Sequence, residues 1–118
     1  MYIGQLAKLS GVSPKAIRHY EALGILNNIE RQGSYRVYQA HHITIIKMIR
    51  VAQDLGFKLK DIKPLIDEKY RSQQFPLEVA QQAMQQKKSE LAEQISLAKQ
   101  KIKEIEQLEK ELFEMFSS

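Results

Sequence analysis

The sequence of 118 residues contains no cysteine and no tryptophan. Without cysteine, the chain forms no disulfide, thiolate zinc site or Cys-ligated iron–sulfur cluster, and it has neither a thiol nucleophile nor a thiol redox switch. Only three histidines are present. No glycine-rich phosphate loop, nucleophile with an evident base or pair of carboxylates stands out. We therefore expect no enzyme activity, no metal and no cofactor.

Long apolar runs are also missing. The longest uninterrupted stretches are only a few residues, whereas a membrane-spanning helix needs about 20. The first five residues lack the basic segment followed by an apolar run that marks a secretory signal. These features predict a cytoplasmic protein with no membrane partner.

Glycine, proline and net positive charge are confined to the first two thirds of the chain. All five Gly and all three Pro lie at or before Pro76. Residues 1–76 carry 12 Lys/Arg against 6 Asp/Glu, a net charge of +6, and the remainder carries 6 against 8, a net charge of −2. This asymmetry predicts a polyanion-binding domain at residues 1–70 and a connector at 71–76, joined to a separate scaffold.

The segment without glycine or proline predicts one helix from Leu77 to about Met115, within a dimerisation region at residues 77–116. Its apolar residues alternate at spacings of three and four, which is typical of a coiled-coil seam. The 76 residues before it are too few to cover such a helix, so the spacing predicts a homodimer. The predicted interface residues are Met84, Leu91, Ile95, Ala98, Ile102, Ile105, Leu108 (which slips the register) and Leu112.

The first 26 residues predict two short helices joined by a tight turn. The first ends at Ser10-Gly11, and in the second, over about residues 14–22, Ser13 is suited to cap the N-terminus and Gly24 to end the helix. Such a pair forms a helix-turn-helix, whose second helix can enter a DNA major groove. Ala16, Ile17 and Tyr20 are predicted to face inward. The outward residues able to bind phosphates or base edges are Lys15, Arg18 and His19.

The hydrophobic period changes between Ile25 and Gln39. Gln32-Gly33-Ser34 followed by Tyr35-Arg36-Val37-Tyr38 predicts a two-stranded hairpin with a glycine turn. Beside a helix-turn-helix, a hairpin that carries Arg and Tyr is typical of a wing that contacts the phosphate backbone. In the alternative interpretation its tyrosine rings cap the core, and we expect Tyr38 to do both.

Two further helices are predicted before the connector. Pro64 lies inside the second of them, where it should remove one backbone hydrogen bond and kink the helix. The overall prediction is a mostly α fold, with a winged helix-turn-helix head of about four helices and a two-stranded wing, followed by one long coiled-coil helix. The apolar residues at helical spacing are Ile43, Ile46, Ile49 and Ala52 in the helix at Ala40–Leu55, and Ile62, Leu65 and Ile66 in the helix from Leu59 to about Lys69.

In their order and spacing these motifs resemble the MerR family of transcription regulators. The resemblance covers residues 1–67 by motif and residues 77 onward by architecture. It implies a homodimer held by an antiparallel coiled coil, with two winged heads that reach successive major grooves of a pseudo-palindromic site. The segments that carry the resemblance are Ile3–Ala7, Gly11–Glu21, Leu23–Leu26, Tyr35–Tyr38 and Asp54–Ile62.

The resemblance also implies a mechanism and a set of contacts. Family members bend and untwist promoters whose two recognition elements are too far apart, so that RNA polymerase engages both. The residues that match Lys15, Arg18, Tyr20 and Arg36 contact DNA in the family, and Tyr35 often joins them. The expected partners are double-stranded promoter DNA, a second copy of the chain and RNA polymerase. The predicted DNA-binding set is Ser13, Lys15, Arg18, His19, Tyr20, Tyr35, Arg36 and Tyr38.

The sequence departs from the family pattern in capping and in sensing. His19 stands where Tyr is usual, Gln39-Ala40-His41-His42 replaces an acidic capping stretch, and Lys58 stands where Ser or Thr is common. Many relatives sense metals or oxidants through cysteine, which this chain lacks. We expect control by the abundance of the protein, by a partner protein, or by an effector of unknown identity near the junction of head and coil.

Three alternatives fit parts of the pattern. A DNA-architectural, excisionase-like factor also bends DNA with a winged head, but such factors usually lack the long helix. A coiled-coil interaction adaptor would not need Lys15, Arg18 and Arg36 on one face. A metal site at His41-His42 is disfavoured because adjacent side chains on a helix point about 100° apart.

Overall fold

The computed structural model describes residues 1–117. It divides into a first unit, Met1–Pro76, and a second unit from Leu77 onward. The elements confirm the predicted fold class, a mostly helical chain with a small wing and a long C-terminal helix. In chain order they are α1 (Ile3–Ser10), α2 (Pro14–Ala22), β1 (Glu30–Gln32), β2 (Tyr35–Val37), α3 (Ala40–Asp54), α4 (Leu59–Ser72) and α5 (Leu77–Phe116).

The turn between α1 and α2 is set by local chemistry. Gly11 ends α1 in the left-handed region, at φ 75°, and its carbonyl accepts a hydrogen bond of 2.8 Å from Nη1 of Arg50. The positive φ favours glycine here, and a Cβ would lie 2.7 Å from the same Arg50 atom, so that the Arg50 side chain would have to shift. Ser13 caps α2 as predicted, because its hydroxyl accepts from the backbone N–H of Ala16 at 3.1 Å.

The core of the first unit draws on the four helices α1–α4, the segment after α2 and the residue after β2. The inward positions predicted for Ile17, Tyr20 and Ile46 are confirmed. Ile25 and Leu26, which follow α2 without a helical or strand period, are also buried. The complete cluster is Leu6, Ile17, Tyr20, Ile25, Leu26, Tyr38, Ile46, Ile49 and Ile66.

Helix α4 differs from its predicted form at the C-terminal end. It continues to Ser72 instead of ending near Lys69. Arg71 pairs with Glu68 one turn earlier, and the Ser72 hydroxyl donates to the Glu68 carbonyl at 2.8 Å, so the last turn is held by polar bonds that apolar spacing does not reveal. The helix is continuous through Pro64, which is an exposed residue.

The wing is a β-hairpin whose two strands are joined by a loop of two residues, Gly33 and Ser34. Strands β1 and β2 are antiparallel, with Arg31 opposite Arg36 and Gln32 opposite Tyr35. Gly33 supplies the positive φ, 63°, that the tight turn requires. Beyond β2, the N–H of Tyr38 donates to the Met1 carbonyl at 2.7 Å, which ties the base of the wing to the start of the chain.

His42 is the third residue of α3 and completes a capping box with Gln39. Its Nδ1 accepts from the backbone N–H of Gln39 at 2.9 Å, and its Nε2 lies 2.8 Å from the Asn27 carbonyl. Because Nδ1 is an acceptor, the hydrogen-bond network assigns the proton to Nε2, which donates to Asn27. The ring is fully buried, and with both nitrogens engaged it has no lone pair for a metal.

The second unit is the 40-residue helix α5, about 60 Å long at 1.5 Å per residue. The apolar seam predicted for this helix is exposed in the single chain. Phe113, Met115 and Phe116 add a further exposed apolar group near its C-terminal end. An isolated helix that displays a continuous apolar stripe requires cover in water.

We expect His42→Ala to lower the free energy of unfolding by about 3 kcal/mol, because it leaves a cavity and two backbone groups without their partners. His41→Ala is the matched control. It removes the neighbouring exposed ring, whose centroid lies 4.0 Å from that of His42, and should lower stability by about 1 kcal/mol or less, the contribution of an aromatic pair. Urea unfolding followed by circular dichroism measures both values, and equal losses would contradict the capping role of His42.

Candidate nucleic-acid interface

One face of α2 is polar, basic and open to solvent. Lys15, Arg18 and His19 are all exposed, whereas Ile17 and Tyr20 on the opposite side are buried. The predicted division of this helix into an inner and an outer face is therefore confirmed. Ser13, at its N-terminus, is exposed as well. Its hydroxyl oxygen accepts the capping bond, and its O–H remains able to donate to an external acceptor.

The wing presents a second polar surface. Tyr35 is 66% exposed, and its ring lies against that of Tyr2 with centroids 5.6 Å apart. The Tyr2 hydroxyl donates to Oε1 of Gln32, in the other strand, at 3.0 Å. Tyr2 thus contacts both strands of the wing, through its ring at Tyr35 and through its hydroxyl at Gln32.

A cleft of about 250 Å³ lies between the wing and the helix-turn-helix. Two arginines, one from each element, line it together with tyrosine and serine residues. Guanidinium groups and hydroxyl donors are among the groups that proteins use to bind phosphate oxygens. The residues lining the cleft are Tyr2, Ile3, Arg18, Ser34, Tyr35, Arg36 and Tyr38.

Glu21 joins α2 to the wing. Its Oε1 accepts from Nε of Arg36 at 2.6 Å, and its Oε2 accepts from the Tyr38 hydroxyl at 3.1 Å. The hydrogen bond and charge of Glu21 raise the pKa of Arg36, which stays a cation. Burial first, and then the negative charge of Glu21, raise the pKa of Tyr38 to about 12.

Tyr20 and Tyr38 are placed differently from the other predicted contacts. Both rings belong to the core, and both hydroxyls donate inward, from Tyr20 to Oε1 of Gln53 at 2.9 Å and from Tyr38 to Glu21. Burial also raises the pKa of Tyr20, while the nearby Arg50 lowers it to a smaller extent. Each hydroxyl thus donates its proton to a partner within the protein. Direct DNA contact by these two residues stays a prediction.

Sequence reasoning missed the residues that hold this surface together. Glu21 ends the motif segment Gly11–Glu21 without a predicted role, and Arg50 and Gln53 lie in the third predicted helix without one. Each bonds to a residue at least 15 positions away. Apolar periodicity gives no signal for such pairs.

Comparison with known proteins identifies the family. The sequence model "MerR HTH family regulatory protein" matches residues 1–69, and "MerR, DNA binding" matches residues 43–115. The chain belongs to the MerR family. The predicted resemblance is thereby confirmed, and members of this family are transcription regulators that bind DNA.

Several relatives resemble this MerR-family chain. It is 32% identical over 114 residues to the HTH-type transcriptional regulator slr0701 of Synechocystis, an alignment covering 85% of this chain and 83% of that protein. With ZntR of Escherichia coli K12 it shares 32% identity over 96 residues, covering 77% and 68%. With HmrR of Sinorhizobium medicae it shares 43% over 67 residues, covering 56% of this chain and 46%, or about half, of the relative.

Solved MerR-family structures share the fold. HiNmlR, a regulator lacking the sensor domain and bound to promoter DNA, superposes with a TM-score of 0.66 at 19% identity, covering 86% of this chain and 77% of that one. A MerR-family regulator from Listeria monocytogenes gives 0.67 at 21% identity, covering 90% and 80%. At these identities the likeness shows the fold alone.

Residues 1–117 lack the features of two other kinds of site. No helix in this part of the chain is long and apolar enough to cross a membrane. Over the same residues, no group of three or more His, Cys, Asp or Glu side chains is arranged to hold a metal ion.

We expect Tyr38→Phe to lower stability by about 1–2 kcal/mol at neutral pH, because the phenol donates to a charged acceptor. A folded-state pKa of about 12 against about 10 in the unfolded chain means that the stabilisation by the phenol is complete below pH 10 and is lost as pH rises toward 12. The difference between wild type and Tyr38→Phe should therefore shrink above pH 10.

Urea unfolding at a series of pH values measures this difference. Tyr35→Phe, at an exposed ring, is the control and should follow the wild type throughout. A Tyr38→Phe deficit that stays constant through pH 11 would contradict the assignment.

Proposed function

We propose that this MerR-family protein is a sequence-specific DNA-binding regulator of transcription that acts as a homodimer on a pseudo-palindromic promoter site. The observation that carries the proposal is the cleft where Arg18 of α2 and Arg36 of the wing line one surface. The exposed Lys15 and His19 extend the basic face of α2. A phosphate-rich duplex fits this chemistry better than a small apolar ligand.

The geometry supports a division of labour among the predicted contacts. Lys15 and His19 face outward on α2, where side chains can reach base edges in the major groove, and Arg18 on the same face also lines the cleft suited to phosphate. Ser13, Tyr35 and Arg36 are suited to phosphate oxygens, which fix orientation without reading sequence. Tyr20 and Tyr38 contribute by holding α2 and the wing to the core.

The homodimer rests on the exposed seam of α5. Burying its side chains against a second copy would stabilise association by about 1.5–3 kcal/mol for each large apolar residue fully buried, before the cost of association. The family resemblance implies that the two α5 helices pair in antiparallel directions. On this proposal residues 1–70 form the DNA-binding domain, 71–76 the connector and 77–116 the dimerisation helix.

The proposed action at the promoter is mechanical. Two heads that bind successive major grooves bend and untwist the intervening DNA, at a cost of a few kcal/mol that the protein–DNA contacts offset. RNA polymerase then engages both promoter elements. The protein acts in the cytoplasm, and with no cysteine in its 118 residues its signal does not reach this chain through a thiol.

We expect Arg18→Ala to weaken binding to specific DNA by about 1–3 kcal/mol, because one charged contact to a base edge or phosphate is lost. Fluorescence anisotropy on the duplex that the wild type selects from a random library, repeated across salt concentrations, measures this change.

Lys103→Ala removes one positive charge from α5 instead and should bind nearly as the wild type does. The proposal would be wrong if the wild type selected no duplex over scrambled DNA, or if both variants bound alike.

We expect Ile102→Asp to convert the dimer to monomer, since it places a charge in the proposed seam. Leu97→Asp is a matched control. Leu97 is 56% exposed and Ile102 is 55% exposed, but Leu97 lies outside the seam. Sedimentation equilibrium of the full chain gives the mass of each. Equal dissociation of both variants would count against this seam.

A further inference from the structure

Glu21 is an anomaly for a surface that binds DNA. It is the only acidic residue of α2, and its partner Arg36 lines the candidate phosphate cleft. A carboxylate near a phosphate backbone repels it and lowers the affinity for DNA of every sequence. The charge therefore opposes binding, which leaves the question of what the carboxylate contributes.

The structure assigns Glu21 a positioning role: acting through Arg36, it fixes the wing relative to α2 and so raises specificity for the correct duplex, at the expense of non-specific affinity. This inference rests on the proposed function, and deepens it. Glu21 does not contact DNA itself in this arrangement.

The hydrogen-bond geometry supports this role. The two carboxylate oxygens hold two different wing groups, Nε of Arg36 at 2.6 Å and the Tyr38 hydroxyl at 3.1 Å. The side chain of Glu21 is 20% exposed, against 40% for Arg36. The carboxylate thus lies behind the guanidinium, and the more exposed partner is the cation.

Arg36 retains donors for a second acceptor. Among the hydrogen bonds of residues 1–117, it donates only from Nε, so its two terminal amino groups stay available to a phosphate. A guanidinium anchored at Nε has one orientation, whereas an unanchored arginine loses rotamer freedom on binding. The anchored Arg36 therefore sets the position at which the wing meets the backbone while α2 reads the groove.

This coupling gives an unusual experimental signature. Removal of the Glu21 charge should strengthen binding to scrambled DNA, because repulsion is relieved, while binding to the selected duplex weakens, because the wing is no longer aligned. Loss of folding cannot produce opposite changes, since it lowers both affinities together. A pure charge effect raises both.

The test uses the full chain, anisotropy titration, and two duplexes, the one that the wild type selects from a random library and a scrambled version. For Glu21→Gln we expect affinity for the selected duplex to fall by about tenfold and affinity for scrambled DNA to rise by about twofold. Glu30→Gln is the matched control, because Glu30 is an exposed carboxylate on β1. It should raise both affinities equally.

A second comparison tests whether Glu21 acts through Arg36. In an Arg36→Ala background, Glu21→Gln should leave the ratio of the two affinities unchanged, because the group that it positions is absent. Circular dichroism and urea unfolding of each variant verify that it is folded.

Each remaining outcome overturns the inference. If Glu21→Gln raises or lowers both affinities by one factor, Glu21 acts only as a charge or only on stability. An undiminished loss of specificity in the Arg36→Ala background would also exclude the route through Arg36. A wild type that does not distinguish the two duplexes overturns the proposed function itself, which separates the two failures.

Discussion

The burial of one face of α2 is the constraint on which the rest of the first unit depends. Ile17 and Tyr20 lie in the core, and the Tyr20 hydroxyl donates to Gln53 of α3. With 3.6 residues per turn, fixing these two positions turns Lys15 and Arg18 outward. The basic surface is thus a geometric consequence of the core. A helix rotated by one residue would bury charge and expose the tyrosine ring.

The wing is attached to the rest of the first unit mainly by hydrogen bonds, whereas α2 is held by apolar burial. Its strands contain three residues each, too few to bury an apolar face of their own, and an isolated hairpin of this size is marginally stable in water. Tyr38 at its base is buried, and Glu21 and the Met1 carbonyl bind it through hydrogen bonds. A polar attachment suits this place because Arg36 must stay charged and exposed, which an apolar contact would not permit.

Local interactions explain why much of the architecture could be predicted from the sequence. The caps at Ser13 and Gly11 and the hairpin turn at Gly33 involve residues only a few positions apart along the chain. The apolar spacing of α5 likewise repeats every three or four residues. The outer face of α2 followed from its periodicity in the same way. The family motifs, which lie in order along the first 67 residues, then predict which of these exposed residues contact DNA.

Tertiary structure alone decided the connections between elements. Glu21 meets Arg36 and Tyr38 across 15 and 17 residues, His42 meets Asn27 across 15, and Arg50 meets Gly11 across 39. A side chain's sequence neighbours do not determine such partners, because the partner depends on how whole helices pack. The sequence by itself determined which residues are exposed and charged. The fold decided which of them are held still, since orientation comes from partners that are distant along the chain.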